Sequence, residues 1–378
     1  MLKDNLIIFF PLVDWDAPWQ RYQHLASRFS KNNHVVYVNS PVAITYLMKN
    51  PLTLLKKWVR FLQGKREVNP NLKCYFPPPC LPFERLSKWV NFLNQYILFL
   101  YIKIFVRPKG LLILWINDPY KYLMTKLLNP RIVIYDCPDA IVFKKNDRKQ
   151  KIYDQLRKKV IQASTVSFFT SNALLEQGKK YSPDCYYVPN GVDVETFVRK
   201  KDEKFDRSKK ASGPILGLVG TIDDRIDLDL ILYVVEKIPE STVFLVGPVQ
   251  TKLGDLRQHP RLIIAGKKGY EEIPFFINQF DVALIPYRVT EVTKAVYPVK
   301  LHEYLILGKP VVSTNLPEVT QFSDVIWVTK SKNEFVNGIR NALKEDDAVS
   351  RKKRIDTAEK NSWEKRVNQI ESILAGYC

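Results

Sequence analysis

Short runs of Val, Ile, Leu and aromatic residues recur from one end of the chain to the other, separated by longer stretches of helical period. Unbroken apolar runs are how parallel strands covered on both faces read, and the stretches between them supply crossover helices. The first half predicts strands at Leu6–Phe10, Val35–Val38, Leu72–Phe76, Leu111–Ile116, Ile132–Tyr135, Val166–Phe169 and Tyr186–Val188. The rhythm restarts at Ile215–Val219 and continues through Thr242–Val246, Leu262–Ala265, Val282–Ile285, Val311–Ser313 and Ile326–Val328. The expected class is α/β, with two doubly wound sheets. Between them, Arg199-Lys200-Lys201-Asp202-Glu203-Lys204 and the charged residues that follow hold almost no apolar anchors, as a hinge or linker would. The expected division is a first domain at 1–197, a linker at 198–213, a second domain at 214–360, and a C-terminal helix at 361–378 packing back on the first.

Length agrees with two cores: 378 residues exceed the roughly 250–300 at which one core stops growing. A composition 46% hydrophobic and 26% charged excludes a disordered chain. The opening run Leu6–Phe10 ends at Pro11 with no small-residue cleavage pattern behind it, so it reads as a buried strand and not a signal peptide. Five cysteines, without CxxC spacing or a histidine cluster, read as free thiols in a reducing cytoplasm.

The net +19 is uneven: residues 1–195 hold 29 Lys+Arg against 14 Asp+Glu, and residues 49–109 alone hold 12 against 2. An anionic partner for the first half is expected. A nucleic acid is not, because no reader motif accompanies the charge. Within the basic region, Trp89–Val106 comes nearest to a membrane span, but Asn91, Asn94, Gln95 and Lys103 interrupt it. Spanning needs roughly 20 apolar residues, so a buried or interfacial helix is expected. Leu52–Leu62, taken as a helix, gathers Lys56, Lys57 and Arg60 on one arc, with Trp58 among the apolar residues opposite. That segment is expected either to dock on an anionic membrane surface or to pack on the sheet with a solvated basic face.

Candidate chemistry lies at the strand ends. Val188-Pro189-Asn190-Gly191-Val192-Asp193, with Phe197, closes the first half; Gly217-Leu218-Val219-Gly220-Thr221, Val246-Gly247-Pro248, and Asp281 through Pro286-Tyr287 follow. Pro298-Val299-Lys300-Leu301-His302-Glu303-Tyr304-Leu305 then runs into Gly308-Lys309-Pro310-Val311-Val312. Together these motifs resemble retaining glycosyltransferases of the large family-four type with the GT-B fold. Pro18-Trp19-Gln20-Arg21 with Gln23-His24-Leu25 resembles the opening of a bacterial subgroup that builds surface polysaccharides. The resemblance covers nearly the whole chain. It implies two Rossmann-like domains facing across a cleft and a retaining transfer from a nucleotide sugar to a glycan or lipid-linked acceptor.

By that resemblance, Glu303 binds the ribose hydroxyls. Arg225 and Lys300 neutralise diphosphate, and Gly220, Thr221, Pro298 and Leu301 shape the donor site. A helix starting at Pro298 would turn free N–H groups toward the diphosphate. The family's second glutamate, eight residues before Glu303, is replaced by Ala295, and Glu291 is the nearest substitute carboxylate. On the acceptor side the expected residues are Trp19, Arg21, Asp136 and Asp139, the last orienting the acceptor. Bland readings stand beside these: Arg225 can pair with Asp223, Asp227 or Asp229, Asp136 and Asp139 can cap a helix, and His24 and His302 read as structural. No metal or other cofactor is expected, since cations can stabilise the leaving diphosphate. The expected location is the cytoplasm, peripheral at the inner face of the cytoplasmic membrane. A catalytically inactive nucleotide-sugar or glycan-binding module is the alternative from another class.

Overall fold

The computed structural model describes residues 2–41, 51–143, 147–199 and 213–377. The chain divides into two compact units, Met1–Pro189 with Val367–Cys378, and Asn190–Arg366. The boundary falls after Pro189 instead of 197, because Phe197, on the helix Val194–Arg199, is buried in the second core. Most of the expected linker lies outside the described residues.

In the first unit the strands are β1 (Leu6–Phe10), β2 (His34–Val38), β3 (Lys65–Asn69), β4 (Leu72–Tyr75), β5 (Leu112–Ile116), β6 (Ile132–Cys137), β7 (Val166–Phe169) and β8 (Cys185–Tyr187). They form one sheet in the order β3-β4-β2-β1-β5-β6-β7-β8, parallel except for the antiparallel pair β3–β4. The run Leu6–Phe10 is buried throughout, as an unbroken apolar strand at the centre of a doubly wound sheet must be. At the C-terminus, Gln369 donates to the Tyr187 carbonyl at 2.8 Å and the Tyr377 hydroxyl donates to Asp184 at 2.6 Å, tying residues from Val367 onward to this unit. Cys74, Cys80, Cys137 and Cys185 are buried free thiols.

The second unit holds β9 (Ile215–Val219), β10 (Thr242–Val246), β11 (Leu262–Gly266), β12 (Val282–Ile285), β13 (Val311–Thr314) and β14 (Trp327–Thr329). All are parallel, in the order β11-β10-β9-β12-β13-β14. Strand order reverses about β9, and the carboxyl ends of β9 and β12 therefore form the switch point at which open α/β sheets bind ligands. Among the described residues no helix is long and apolar enough to cross a membrane.

Candidate functional site

At the end of β9 the backbone turns through Gly220, whose φ of +118° lies outside the range of ordinary L residues. Gly247, after β10, approaches so closely that a Cβ there would sit 2.0 Å from the Gly220 carbonyl oxygen. These two glycines let adjacent strand ends close up and leave backbone bare at the switch point.

Lys300 reaches into that space. A Cβ on Gly220 would stand 3.1 Å from the Lys300 Nζ, which lies 5.0 Å from the centroid of the Tyr287 ring. The Arg225 guanidinium sits 6.0 Å from the same ring. Tyr287, on the loop after β12, is thus a shared platform for both cations. Asp223 holds Arg225 in a two-pronged pair at 2.7–3.1 Å. Burial raises the Asp223 carboxyl, but hydrogen bonds and charge from Arg225, with Lys300 adding, outweigh it and hold the group below the usual range. Asp227 and Asp229 face Arg288 instead, at 3.7 and 3.2 Å.

The helix that carries Lys300 begins there and runs to Ile306, ending before Gly308 at φ +71°. It does not begin at Pro298. Leu301 and His302 donate their amides to the Pro298 and Val299 carbonyls, so two of the expected free N–H groups are taken. The helix is fixed to β9 by Tyr304, whose hydroxyl accepts the Val219 amide at 2.8 Å. Glu303 sits in its first turn, only 8% exposed. Burial raises its carboxyl to about 7, with Lys300 opposing and Asp193 reinforcing the rise. Among the described residues neither the Glu303 carboxyl nor the Lys300 ammonium makes a hydrogen bond or ion pair. His302 is 2.5 Å from the Tyr297 hydroxyl, and burial, with the charge of Arg366, pushes it down to about 3.

The structure therefore brings together Gly220, Lys300, Arg225 and Glu303, with Pro298 and Leu301 buried behind them. It sets Glu291 apart: that side chain is exposed and pairs with Lys294 at 2.7 Å, while Ala295 is buried. Tyr287 and Asp193 are contributions the motifs carried without a role. Asp193 ends the Asn-Gly turn, accepts from the Thr196 hydroxyl at 2.9 Å, and places its charge toward Glu303. A cavity of about 370 Å³ opens beside Tyr287 at the ends of β12, β13 and β14, lined also by Asp227, Thr314, Asn315, Thr329 and Lys330. Gly220→Ala is expected to cost roughly 1–3 kcal/mol in backbone strain and to displace the Lys300 ammonium. Thermal unfolding checks the first effect, and a variant as stable as the parent contradicts it.

In the first unit two of the expected acceptor residues are buried in each other's company. Arg21 and Asp136 are 1% and 0% exposed and pair through Nε at 2.9 and 3.0 Å. Asp136 also accepts from Trp115 Nε1 at 3.2 Å and Asn117 Nδ2 at 3.0 Å, and Arg21 Nη1 donates to the Pro189 carbonyl. Both are structural, closed off from any acceptor. Asp139 is exposed and Trp19 is half-buried against Trp15 and His24. Two Asp-x-Asp spacings occur, Asp14-Trp15-Asp16 and Asp227-Leu228-Asp229, but Asp16 pairs with Arg60 and Arg66, and Asp227 caps its helix at the Leu230 amide. Among the described residues no cluster of three His, Cys, Asp or Glu could hold a metal ion.

Residues 213–345 match the family described as Glycosyl transferases group 1. A curated relative from Bacillus subtilis (strain 168), named "Putative teichuronic acid biosynthesis glycosyltransferase TuaH", is 31% identical over 226 residues, 55% of this chain and 56% of its own length. The chain thus spans little more than half of that relative. Among solved structures, sucrose-phosphate synthase from Thermosynechococcus elongatus superposes with a TM-score of 0.73 at 14% identity, covering 99% of both chains. Trehalose-6-phosphate synthase from E. coli, bound with UDP-2-fluoro glucose, gives 0.69 at 10% identity over 98% of both. At such identities the likeness shows the fold, which is GT-B as the motifs implied.

Proposed function

We propose that this chain, GT-B in architecture and matching glycosyl transferases group 1 across most of its second unit, is a glycosyltransferase that moves a sugar from a nucleotide-sugar donor to a glycan or lipid-linked acceptor. The resemblance to retaining enzymes supports retention at the anomeric carbon, and the name of the Bacillus relative supports a place in cell-surface polysaccharide synthesis. The Lys300 ammonium and the Glu303 carboxyl lie beside bare backbone at the switch point, largely but not wholly withdrawn from solvent, and neither has a hydrogen-bond or ion-pair partner among the described residues. Unpaired buried charge costs free energy in the folded chain. A ligand presenting phosphate oxygens to the ammonium and hydroxyls to the carboxylate removes that cost.

Lys300 then meets the charge that grows on the leaving diphosphate as the glycosidic bond breaks, and Arg225, pre-oriented by Asp223, stands beside it. Stabilising the leaving group through side-chain cations calls for no metal in this account. Glu303 accepts from the ribose, and Asp139 and Trp19 remain our candidates for the acceptor side. Lys300→Ala and Arg225→Ala are expected to lower kcat by about 10²-fold with little change in melting temperature. Turnover of a panel of UDP-, GDP- and dTDP-sugars measures this, and equal rates in both variants would return the two cations to a surface role. A binding module without turnover is the second reading, favoured by Ala295 in the place of the family glutamate and by the outward-facing Glu291. Donor binding without product from any acceptor would select it.

A further inference from the structure

We infer that the helix Lys88–Phe105 of the first unit, with the helix Pro51–Gln63, forms a docking surface for an anionic lipid bilayer. The N-terminal half of Lys88–Phe105 is packed inside out, while its C-terminal half buries Leu98, Tyr101 and Ile102 and exposes a further apolar face. A helix on a water-soluble domain turns its apolar stripe inward and its polar face to solvent. Here Asn91, Asn94 and Gln95 are buried, while Trp89, Phe92, Leu93, Tyr96, Ile97, Leu100 and Ile104 are exposed. The exposed positions recur at intervals of three and four residues, so they form one continuous stripe. Trp89 is 83% and Ile104 72% exposed.

The orientation is fixed by the buried amides. Asn94 pairs with both backbone groups of Leu81, accepting at 2.8 Å and donating at 2.9 Å. Gln95 accepts the Leu123 amide at 2.8 Å, and Asn91 donates to the Tyr120 carbonyl at 3.2 Å. Rotating the helix to hide its apolar face would strand these groups. The second helix extends the surface: Leu52, Leu55, Trp58, Val59 and Leu62 are exposed, and Phe61 meets Tyr101 of the first helix at 6.2 Å.

Charge selects the occupant. Lys56, Lys88, Lys103, Arg107 and Lys109 are exposed around this surface, and among the described residues none makes an ion pair. They belong to the stretch 49–109, with 12 basic against 2 acidic residues. An aromatic-rich apolar stripe bordered by lysine and arginine fits the headgroup layer of an anionic leaflet, where rings sit at the interface and cations meet phosphates. The assignment differs from the arc of Lys56, Lys57 and Arg60 expected from the sequence. Arg60 is held by Asp16 at 3.1 Å and lies near the Phe76 ring, and the Lys57 side chain lies outside the described residues.

The test uses the full chain with phosphatidylcholine vesicles, with and without about 30% phosphatidylglycerol, at about 0.1 M salt. Co-sedimentation is expected with the anionic vesicles, at least about tenfold weaker with the neutral ones, and reduced as salt rises. The triple substitution Trp89→Ser, Leu93→Ser, Ile97→Ser is expected to lower partitioning at least about tenfold, with nucleotide affinity unchanged and the protein still folded in a cooperative thermal transition, because none of the three side chains is buried in the core. Nucleotide affinity read in the same samples keeps this outcome separate from the donor-site reading. The proposal is overturned if the parent ignores anionic vesicles, or if the triple variant binds them equally well. It is also overturned if light scattering shows a dimer that the same substitutions abolish while vesicle binding is absent, which would assign the face to a second copy of the chain.

Discussion

Replacing Glu303 by glutamine is expected to stabilise the folded protein above neutral pH while weakening its hold on a nucleotide sugar. Burial lifts the Glu303 carboxyl to about 7, whereas in an unfolded chain a glutamate titrates near ~4.3. Between those values the folded protein keeps a proton that the unfolded chain has released, so stability falls as pH rises through that window. Above it the deficit is complete, at most about 4 kcal/mol by the usual conversion of pKa to free energy. Glutamine carries no charge at any pH and escapes the penalty. At pH 8 the variant should therefore be more stable by up to that amount, and near pH 4 the difference should nearly vanish. Denaturant unfolding at the two pH values measures it, and a pH-independent difference contradicts the assignment. The same change should weaken donor binding about tenfold or more, since an ionised acceptor for ribose hydroxyls is lost. Stability gained where binding is lost is the pattern of a functional site.

Asp136→Asn is expected to have the opposite character, a large loss of stability in the first unit. Arg21 has no exposed route to another anion, and removing the partner charge leaves a buried guanidinium uncompensated, at a cost of about 3–5 kcal/mol. Replacing both by apolar residues, Arg21→Met with Asp136→Leu, should recover part of that loss, because neither charge then needs a partner. Trp115 donates to Asp136, and five of the seven tryptophans lie in the first unit, so tryptophan fluorescence during urea unfolding reports chiefly on that unit. The units need not unfold together, and the first-unit transition is the one to read. If Asp136→Asn leaves that transition in place and raises only the KM for acceptor, the acceptor role returns.

Much of the fold was legible because buried parallel strands write themselves as short apolar runs. Leu6–Phe10, Val166–Phe169, Ile215–Val219, Thr242–Val246 and Val282–Ile285 have the boundaries that pattern predicts. Strand β3, Lys65–Asn69, had no such signal: every residue is exposed at the sheet edge and the sequence Lys-Arg-Glu-Val-Asn shows no apolar run. The motif resemblance gathered Lys300, Arg225, Glu303 and Gly220, which the structure holds around one switch point. It could not separate Arg21 and Asp136 from a ligand site, because a buried ion pair across residues distant in sequence looks, in one dimension, like two charged residues at strand and helix ends. The inverted packing of Lys88–Phe105 was hidden for a related reason. Its period was readable, but only tertiary partners such as Leu81, Tyr120 and Leu123 decide which face turns inward.

The most direct test of the donor site is titration calorimetry of UDP, GDP and dTDP into the parent, Lys300→Met and Glu303→Gln proteins. The parent is expected to bind at least one of these nucleotides, and each substitution to weaken that binding about tenfold or more. Binding of equal strength in all three proteins, or none of the three nucleotides bound by a folded parent, would contradict it.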